Sequence, residues 1–307
     1  MMSGMLLLCL IWGAVTILLI GIFYRVSMLL RLPAHLRWEL SPTPHGKEKE
    51  SYGGSYLEDY EWWEQRAKTS RYGALLYMLK EVFLFRKVFR SNPCLWPFSF
   101  AMHLGIYFLL LSVSLSLIWA VGSLISNKAI ITNLILSFAY YCGLAGNFLG
   151  VAGSLGLLVK RLLQRDFIWA NDAGKICNLL LLAAVFVSGS YVGLYTEKSA
   201  LRFALLIKQA ISFNPRIEAD FPLGIHLILF LAFCARLPLS SMSHFIAKYF
   251  IFHGVLWDDN PLNERLEKDV QYLLTQPVYW TAKHVRSGKG REWREIVAEM
   301  DHEKRHS

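Results

Sequence analysis

The stretch LWPFSFAMHLGIYFLLLSVSLSLIWAVGSLISN, residues 95–127, decides the fold because it contains no Asp, Glu, Lys or Arg. A transmembrane helix needs about 20 predominantly apolar residues, and this stretch exceeds that length. Four more uncharged, apolar runs occur along the chain, at residues 5–24, 129–159, 176–196 and 221–235. We therefore predict an all-α integral membrane protein with five transmembrane helices, the fifth resuming beyond Arg236 as far as residue 247.

The composition of the chain excludes an ordinary soluble domain. Of its 307 residues, 54% are hydrophobic and 18% are charged, whereas soluble domains are about 25% charged. The net charge of +9 lies between the apolar runs, which is typical of basic cytoplasmic loops rather than of a nucleic-acid-binding surface. The five cysteines form no Cys-x-x-Cys pair, so we expect no iron–sulfur cluster or zinc ribbon in this chain.

The distribution of Lys and Arg predicts the orientation. Cations are dense between the first two runs, only Lys128 follows the second run, and several follow the third: Lys160, Arg161, Arg165 and Lys175. The loop after the fourth run also carries cations and argues weakly the other way: Lys198, Arg202, Lys208 and Arg216. The positive-inside rule places the N-terminus outside and the C-terminus in the cytoplasm, in a multi-pass protein of the cell membrane.

Four regions follow from this pattern. Residues 1–32 form the first transmembrane helix, and residues 33–92 form a cytoplasmic insert of one or two amphipathic helices on the membrane surface or against a partner. Residues 93–247 form transmembrane helices two to five. Residues 248–307 form a charged cytoplasmic tail that is too short to bury a core alone, so we expect it to dock on a partner or to stay partly disordered.

Three of the nine histidines fall within the apolar runs: His103, His226 and His244. Ionisable side chains are costly in a membrane and usually functional, and imidazole is a common haem ligand. On a continuous helix the 18 residues from His226 to His244 make five turns, which places both rings on one face about 27 Å apart. His103 and His244 both lie at cytoplasmic depth, so the pattern predicts that they bind one haem together. The alternative is that each histidine is a hydrogen-bonded structural residue.

Two other features of the apolar runs have open interpretations. A glycine stripe in the third run provides either an approach for a flat macrocycle or a surface for close helix packing: Gly143, Gly146, Gly150, Gly153 and Gly156. Arg236 interrupts the fifth run, and it either pairs with a haem propionate or extends its charge to the inner membrane surface.

Several motifs resemble the respiratory nitrate reductase gamma-subunit family of five-helix membrane cytochromes b. The run MHLGI at residues 102–106 resembles the start of the second helix in that family, and RLPLSSMSH at 236–244 resembles the end of the fifth. A closer resemblance is to the branch that serves heterodisulfide-reductase-like and sulfite-reduction-linked complexes. It rests on the runs KYFIFH at 248–253, WDDNP at 257–261, QPVYWTAKH at 276–284 and GREW at 290–293.

The resemblance implies one or two haem b groups, with His103, His244 and His226 as iron ligands and Arg236 beside a propionate. It also implies menaquinol as electron donor, a cytoplasmic iron–sulfur heterodisulfide-reductase-like subunit as acceptor, and further membrane or extracytoplasmic redox subunits. The family type carries a second histidine ten residues after the first in span two, but here that position is Val113. An outer haem would then be held by His226 alone, take a ligand from elsewhere, or be missing.

We therefore expect an electron-transfer subunit of an oxidoreductase complex, which exchanges electrons between the membrane quinone pool and its cytoplasmic partner. Quinol would bind near the outer face, close to His226. The alternative is a non-redox membrane anchor or transporter, which explains five spans and a basic cytoplasmic face equally well. It does not explain the histidines.

Overall fold

A computed structural model describes residues 4–31, 71–125, 129–163, 173–216, 219–247, 264–279, 290–296 and 298. The chain divides into two compact units, each discontinuous in sequence. The first comprises Met1–Arg25 and Met78–His244, and the second comprises Val26–Tyr77 and Phe245–Ser307. The predicted transmembrane helices two to five, as far as His244, lie in the first unit.

Among the residues that the structure describes, the helices before the tail are α1 (Gly4–Leu30), α2 (Arg71–Phe83), α3 (Arg86–Ser91), α4 (Trp96–Ile125), α5 (Ala129–Leu163), α6 (Ala173–Tyr195), α7 (Ser199–Ile211) and α8 (Phe221–Arg236). Five stretches are long and apolar enough to cross a membrane: Gly4–Leu30, Trp96–Ile125, Asn133–Leu163, Ala173–Tyr195 and Phe221–Leu239. The predicted all-α architecture is confirmed, with five helices that are long and apolar enough to span a membrane. Helices suit the bilayer because they satisfy their own backbone hydrogen bonds.

The glycine stripe of α5 packs against neighbouring helices. A Cβ atom added to Gly146 would lie 2.8 Å from the carbonyl oxygen of Gly105 on α4, and one added to Gly150 would overlap the ring of Phe186 on α6. Glycine is therefore required for the close approach of these backbones, as in other membrane helix pairs. Of the two interpretations of the stripe, the structure supports helix packing.

The fifth span differs from the continuous helix that we expected. Asp220 caps the start of α8 by accepting a hydrogen bond from the Leu223 amide, but the α-helix ends at Arg236. A 3₁₀ turn follows at Leu237–Leu239, and Ser240 is extended before a second 3₁₀ turn at Ser241–Ser243. Pro238 explains this break, because proline cannot donate the hydrogen bond that continues a helix. The argument that His226 and His244 share one face of a single helix is therefore wrong.

A helix between the fourth and fifth spans was not predicted. Helix α7 packs on α4, α5 and α6 and buries Ala204, Leu206 and Ala210. Leu206 and Ala210 belong to a hydrophobic cluster with residues of α1, α6 and α8: Leu7, Leu8, Val192, Leu223 and Leu227. The cations of this segment led us to interpret it as a loop, although its apolar residues recur at helical spacing.

The expected amphipathic insert is described only from Arg71 onward, where α2 and α3 lie. In the tail, α9 (Glu264–Leu274) precedes an antiparallel pair of two-residue strands, β1 (Pro277–Val278) and β2 (Arg291–Glu292). Val278 and Ile296 are buried in the second unit. Residues 248–263 and 280–289, which carry part of the family resemblance, lie outside the described residues.

Candidate functional site

Two of the predicted site residues meet in the first unit. The rings of His103 on α4 and His244 have centroids 6.1 Å apart and an interplanar angle of 72°. A histidine nitrogen binds a metal ion at about 2.0 Å, and the ring centroid lies about 1 Å behind that nitrogen, so two ligands of one ion have centroids about 6 Å apart. The observed separation fits two axial ligands of a single iron.

Hydrogen bonds set the tautomer of both rings. Nδ1 of His103 lies 2.7 Å from the carbonyl oxygen of Ser99, and Nδ1 of His244 lies 3.2 Å from that of Ser241. Carbonyl oxygens only accept, so each Nδ1 carries the proton and donates. The lone pair of each ring is then on Nε2, and a bond of this kind from Nδ1 is usual for histidines that bind a metal through the other ring nitrogen.

Phe85 packs against the His103 ring. The two ring centroids are 4.6 Å apart, and Phe85 has a left-handed backbone conformation with φ of 52° at the start of α3. This conformation costs a non-glycine residue about 1–2 kcal/mol, and the half-buried ring gains its contact with the His103 ring. Phe85 therefore restricts the ring of His103 from the side of α3.

His226 is not part of this pair, and it lines a cavity in the first unit. This partly open cavity has a volume of about 100 Å³ and lies among α4, α5, α6, α7 and α8. Ser188 on α6 donates its hydroxyl proton to the Val185 carbonyl oxygen, so its oxygen accepts from Nδ1 of His226 over 3.0 Å. This bond leaves the lone pair of His226 on Nε2.

Other polar side chains line the same cavity. The hydroxyl groups of Ser112, Ser116 and Tyr140 donate to backbone carbonyl oxygens. Asn147 on α5 is only 7% exposed, and its Oδ1 has no hydrogen-bond partner among the described residues. Buried polar atoms are nearly always paired, so this oxygen marks the cavity as a candidate site for a ligand or for water.

Among the described residues that line this cavity, His226 is the one histidine, so whether it holds a second haem stays a prediction. Val113 lines the cavity with His226, and valine cannot bind iron.

Arg236 contacts a neighbouring helix. Its Nε donates to Oδ1 of Asn178 on α6 over 2.5 Å, and Asn178 is buried. Nearby, Nε of Arg25 on α1 donates to the Pro238 carbonyl oxygen over 2.9 Å. These bonds fix the two sides of the break in the fifth span. The role of Arg236 beside a haem propionate stays a prediction.

Within the described part of the chain, no three His, Cys, Asp or Glu side chains cluster to hold a metal ion. A haem with two axial histidines needs no such cluster, since the porphyrin supplies its other iron ligands. No family model, curated protein or solved structure matches this chain.

Three site residues were missed in the sequence: Asn147, Asn178 and Ser188. Each is a polar but uncharged residue in an apolar run, whereas the sequence-based candidates in these runs were the histidines, Arg236 and the glycine stripe. Asparagine within a membrane span is itself a signal, because its amide must find a partner there. The partner, however, depends on how the helices pack.

Proposed function

We propose that this chain is a membrane cytochrome b subunit that transfers electrons between a quinone pool and a cytoplasmic iron–sulfur partner. The observation that carries the proposal is the paired arrangement of His103 and His244. A structural role for two separate histidines does not require their rings to lie at the spacing of two axial ligands. The family resemblance supports menaquinol as the donor and a heterodisulfide-reductase-like subunit as the recipient.

In this proposal, His103 and His244 hold one haem b through Nε2, and the carbonyl groups of Ser99 and Ser241 orient the two rings. Haem supplies one-electron redox chemistry, which the axial ligands and their hydrogen bonds tune. Phe85 limits rotation of His103. Each residue thus contributes orientation and tuning at the iron.

The cavity at His226 is the proposed quinol site. Neutral His226 accepts a proton from a quinol hydroxyl at Nε2, while Ser188 holds the ring in the required tautomer. Oxidation of one quinol releases two protons and two electrons. The two protons would leave through His226 to the outer side, and the two electrons would be taken up by the cytoplasmic iron–sulfur partner.

The proposed orientation rests on loop charge, with the N-terminus outside and the C-terminus in the cytoplasm. Lys160 and Arg161 close α5, whereas the loop before α5 contains Lys128 as its only cation. This asymmetry across one span follows the positive-inside rule. In the proposed orientation, the His103 and His244 pair lies toward the cytoplasmic side and the cavity toward the outer side.

An absorption spectrum of the purified full-length protein tests the proposal. We expect the oxidised and reduced spectra of a low-spin haem b, with about one haem per chain by pyridine haemochromogen assay. Protein that folds and purifies as a monodisperse species without haem would overturn the proposal. It would favour the alternative of a non-redox anchor or transporter.

A further inference from the structure

The segment of residues 82–89, which we call the strap, joins the end of α2 to α3 and packs on the face of α4 that carries His103. The rings of Phe85 and His103 have centroids 4.6 Å apart. The left-handed backbone at Phe85 separates α2 from α3, and the final carbonyl groups of a helix have no partner within it. The strap therefore depends on hydrogen-bond donors from another element.

Two side chains of α4 supply these donors. The hydroxyl of Tyr107 donates to the Val82 carbonyl oxygen over 2.8 Å, and Nε1 of Trp96 donates to that of Leu84 over 2.9 Å. The ring of Tyr107 also packs on Phe83, with centroids 5.4 Å apart. These contacts fix the strap to α4 at two of its carbonyl groups.

We propose that Tyr107 is a positioning residue of the paired-histidine site, which holds Phe85 against His103 and thereby fixes the plane of that ring. Tyr107 follows His103 by about one turn of α4, whereas Ser99, whose carbonyl oxygen accepts from the His103 ring, precedes it by one turn. This inference rests on the proposed function, because it assumes that His103 and His244 bind one iron.

The plane of the His103 ring affects the iron that this ring would bind. The rings of His103 and His244 are inclined by 72°, and the g values of a low-spin haem depend on the angle between its two axial imidazole planes. The apolar cover of a metal site also limits access of water and so tunes the reduction potential. A looser strap should change the g values and lower the potential, because water stabilises the more highly charged ferric iron.

Three substitutions separate the role of the hydroxyl from that of the ring that it holds. Tyr107→Phe removes only the hydroxyl and leaves the Val82 carbonyl oxygen without its donor. Tyr140→Phe is the matched control, since the Tyr140 hydroxyl donates to the Gly193 carbonyl oxygen over 3.2 Å, between α5 and α6. Phe85→Gly removes the covering ring, and glycine readily adopts the left-handed backbone of this position.

The test uses the full chain in lipid nanodiscs, with amide hydrogen exchange, electron paramagnetic resonance and redox titration as the measurements. We expect Tyr107→Phe to speed exchange in residues 82–89 about fivefold, as the loss of one net hydrogen bond predicts. It should also change the haem g values and lower the midpoint potential. Phe85→Gly should change both in the same direction, and adding Tyr107→Phe should then have no further effect on either. Tyr140→Phe should leave all three measurements unchanged.

Unchanged g values and potential in Tyr107→Phe would overturn the inference, even if exchange becomes faster, because the hydroxyl would then serve stability alone. If Tyr107→Phe fails to fold, Phe85→Gly decides, since normal g values in that variant would show that the strap does not position His103. Folded, purified protein without haem would overturn the proposed function and this inference with it. A normal haem spectrum with g values that neither substitution changes would overturn the inference alone.

Discussion

Arg236 donates a hydrogen bond from Nε to Oδ1 of Asn178 over 2.5 Å, and this contact joins the end of α8 to α6. The α-helix of the fifth span ends at Arg236, so the bond fixes the point at which the chain turns toward His244. Arg236 is thus a positioning residue in this structure.

Asn178→Leu should destabilise the protein and loosen the haem site. The substitution leaves the Arg236 guanidinium without its buried acceptor, at a cost of about 1–3 kcal/mol. Thermal loss of the haem absorbance measures the effect, which should appear at a lower temperature than in the unmodified protein. Asn178→Asp retains an acceptor and should lose less stability. Equal stability of Asn178→Leu and the unmodified chain would show that the bond has no positioning role.

His103→Ala and His244→Ala should each abolish the same low-spin haem signal. Both rings are expected to bind one iron, so a chain that lacks either ring cannot form the six-coordinate state. Electron paramagnetic resonance together with the absorption spectrum checks this. His226→Ala is the matched control and should retain the signal. If either of the first two variants keeps the low-spin signal unchanged, the pairing of these residues is wrong.

Ser188→Ala should slow quinol oxidation while leaving the haem spectrum unchanged. Without the Ser188 oxygen, Nδ1 of His226 loses its fixed acceptor, and the ring no longer keeps its lone pair on Nε2. We expect a decrease of about tenfold in the rate of haem reduction by menadiol, from the loss of one oriented hydrogen bond. Ser190→Ala is the control, because that hydroxyl bonds within its own helix to Phe186. A normal rate in Ser188→Ala would exclude this role.

Gly105→Ala should disrupt the packing of α4 against α5. The added Cβ would lie 2.6 Å from the Gly146 carbonyl oxygen and 2.7 Å from the Gly150 nitrogen, and overpacking of this kind costs about 1–3 kcal/mol. Size-exclusion chromatography and thermal loss of haem measure the result. Gly122→Ala on the same helix meets no described atom within 4 Å and should be neutral. Similar behaviour of the two variants would contradict the packing role.

Truncation after His253 should release the cytoplasmic iron–sulfur partner while haem b stays in the membrane. The removed residues form most of the charged tail, and the proposed haem ligands all precede it. Co-purification of the partner subunit with full-length and truncated chains checks the prediction, and the haem spectrum reports that the membrane part is intact. A complex that assembles normally without the tail would show that the partner docks elsewhere.

The local sequence determined the membrane-spanning helices. Residues 95–127 have no charged side chain, and a backbone in lipid must satisfy its own hydrogen bonds, so an uncharged run of that length becomes a helix wherever its neighbours lie. The histidines were candidates for the same reason, since ionisable groups are rare in such runs.

Tertiary structure decided what those helices bring together. The 18-residue spacing predicted that His226 and His244 share one face of a continuous helix. Pro238 and the extended Ser240 break that helix, so this prediction failed. The contact between the rings of His103 and His244 depends instead on how α4 packs against the end of the fifth span. Asn147, Ser188 and His226 lie on three different helices, and no periodicity within one segment encodes contacts between segments. Helix formation depends on local backbone hydrogen bonding, whereas the assembly of a site depends on which faces pack against each other.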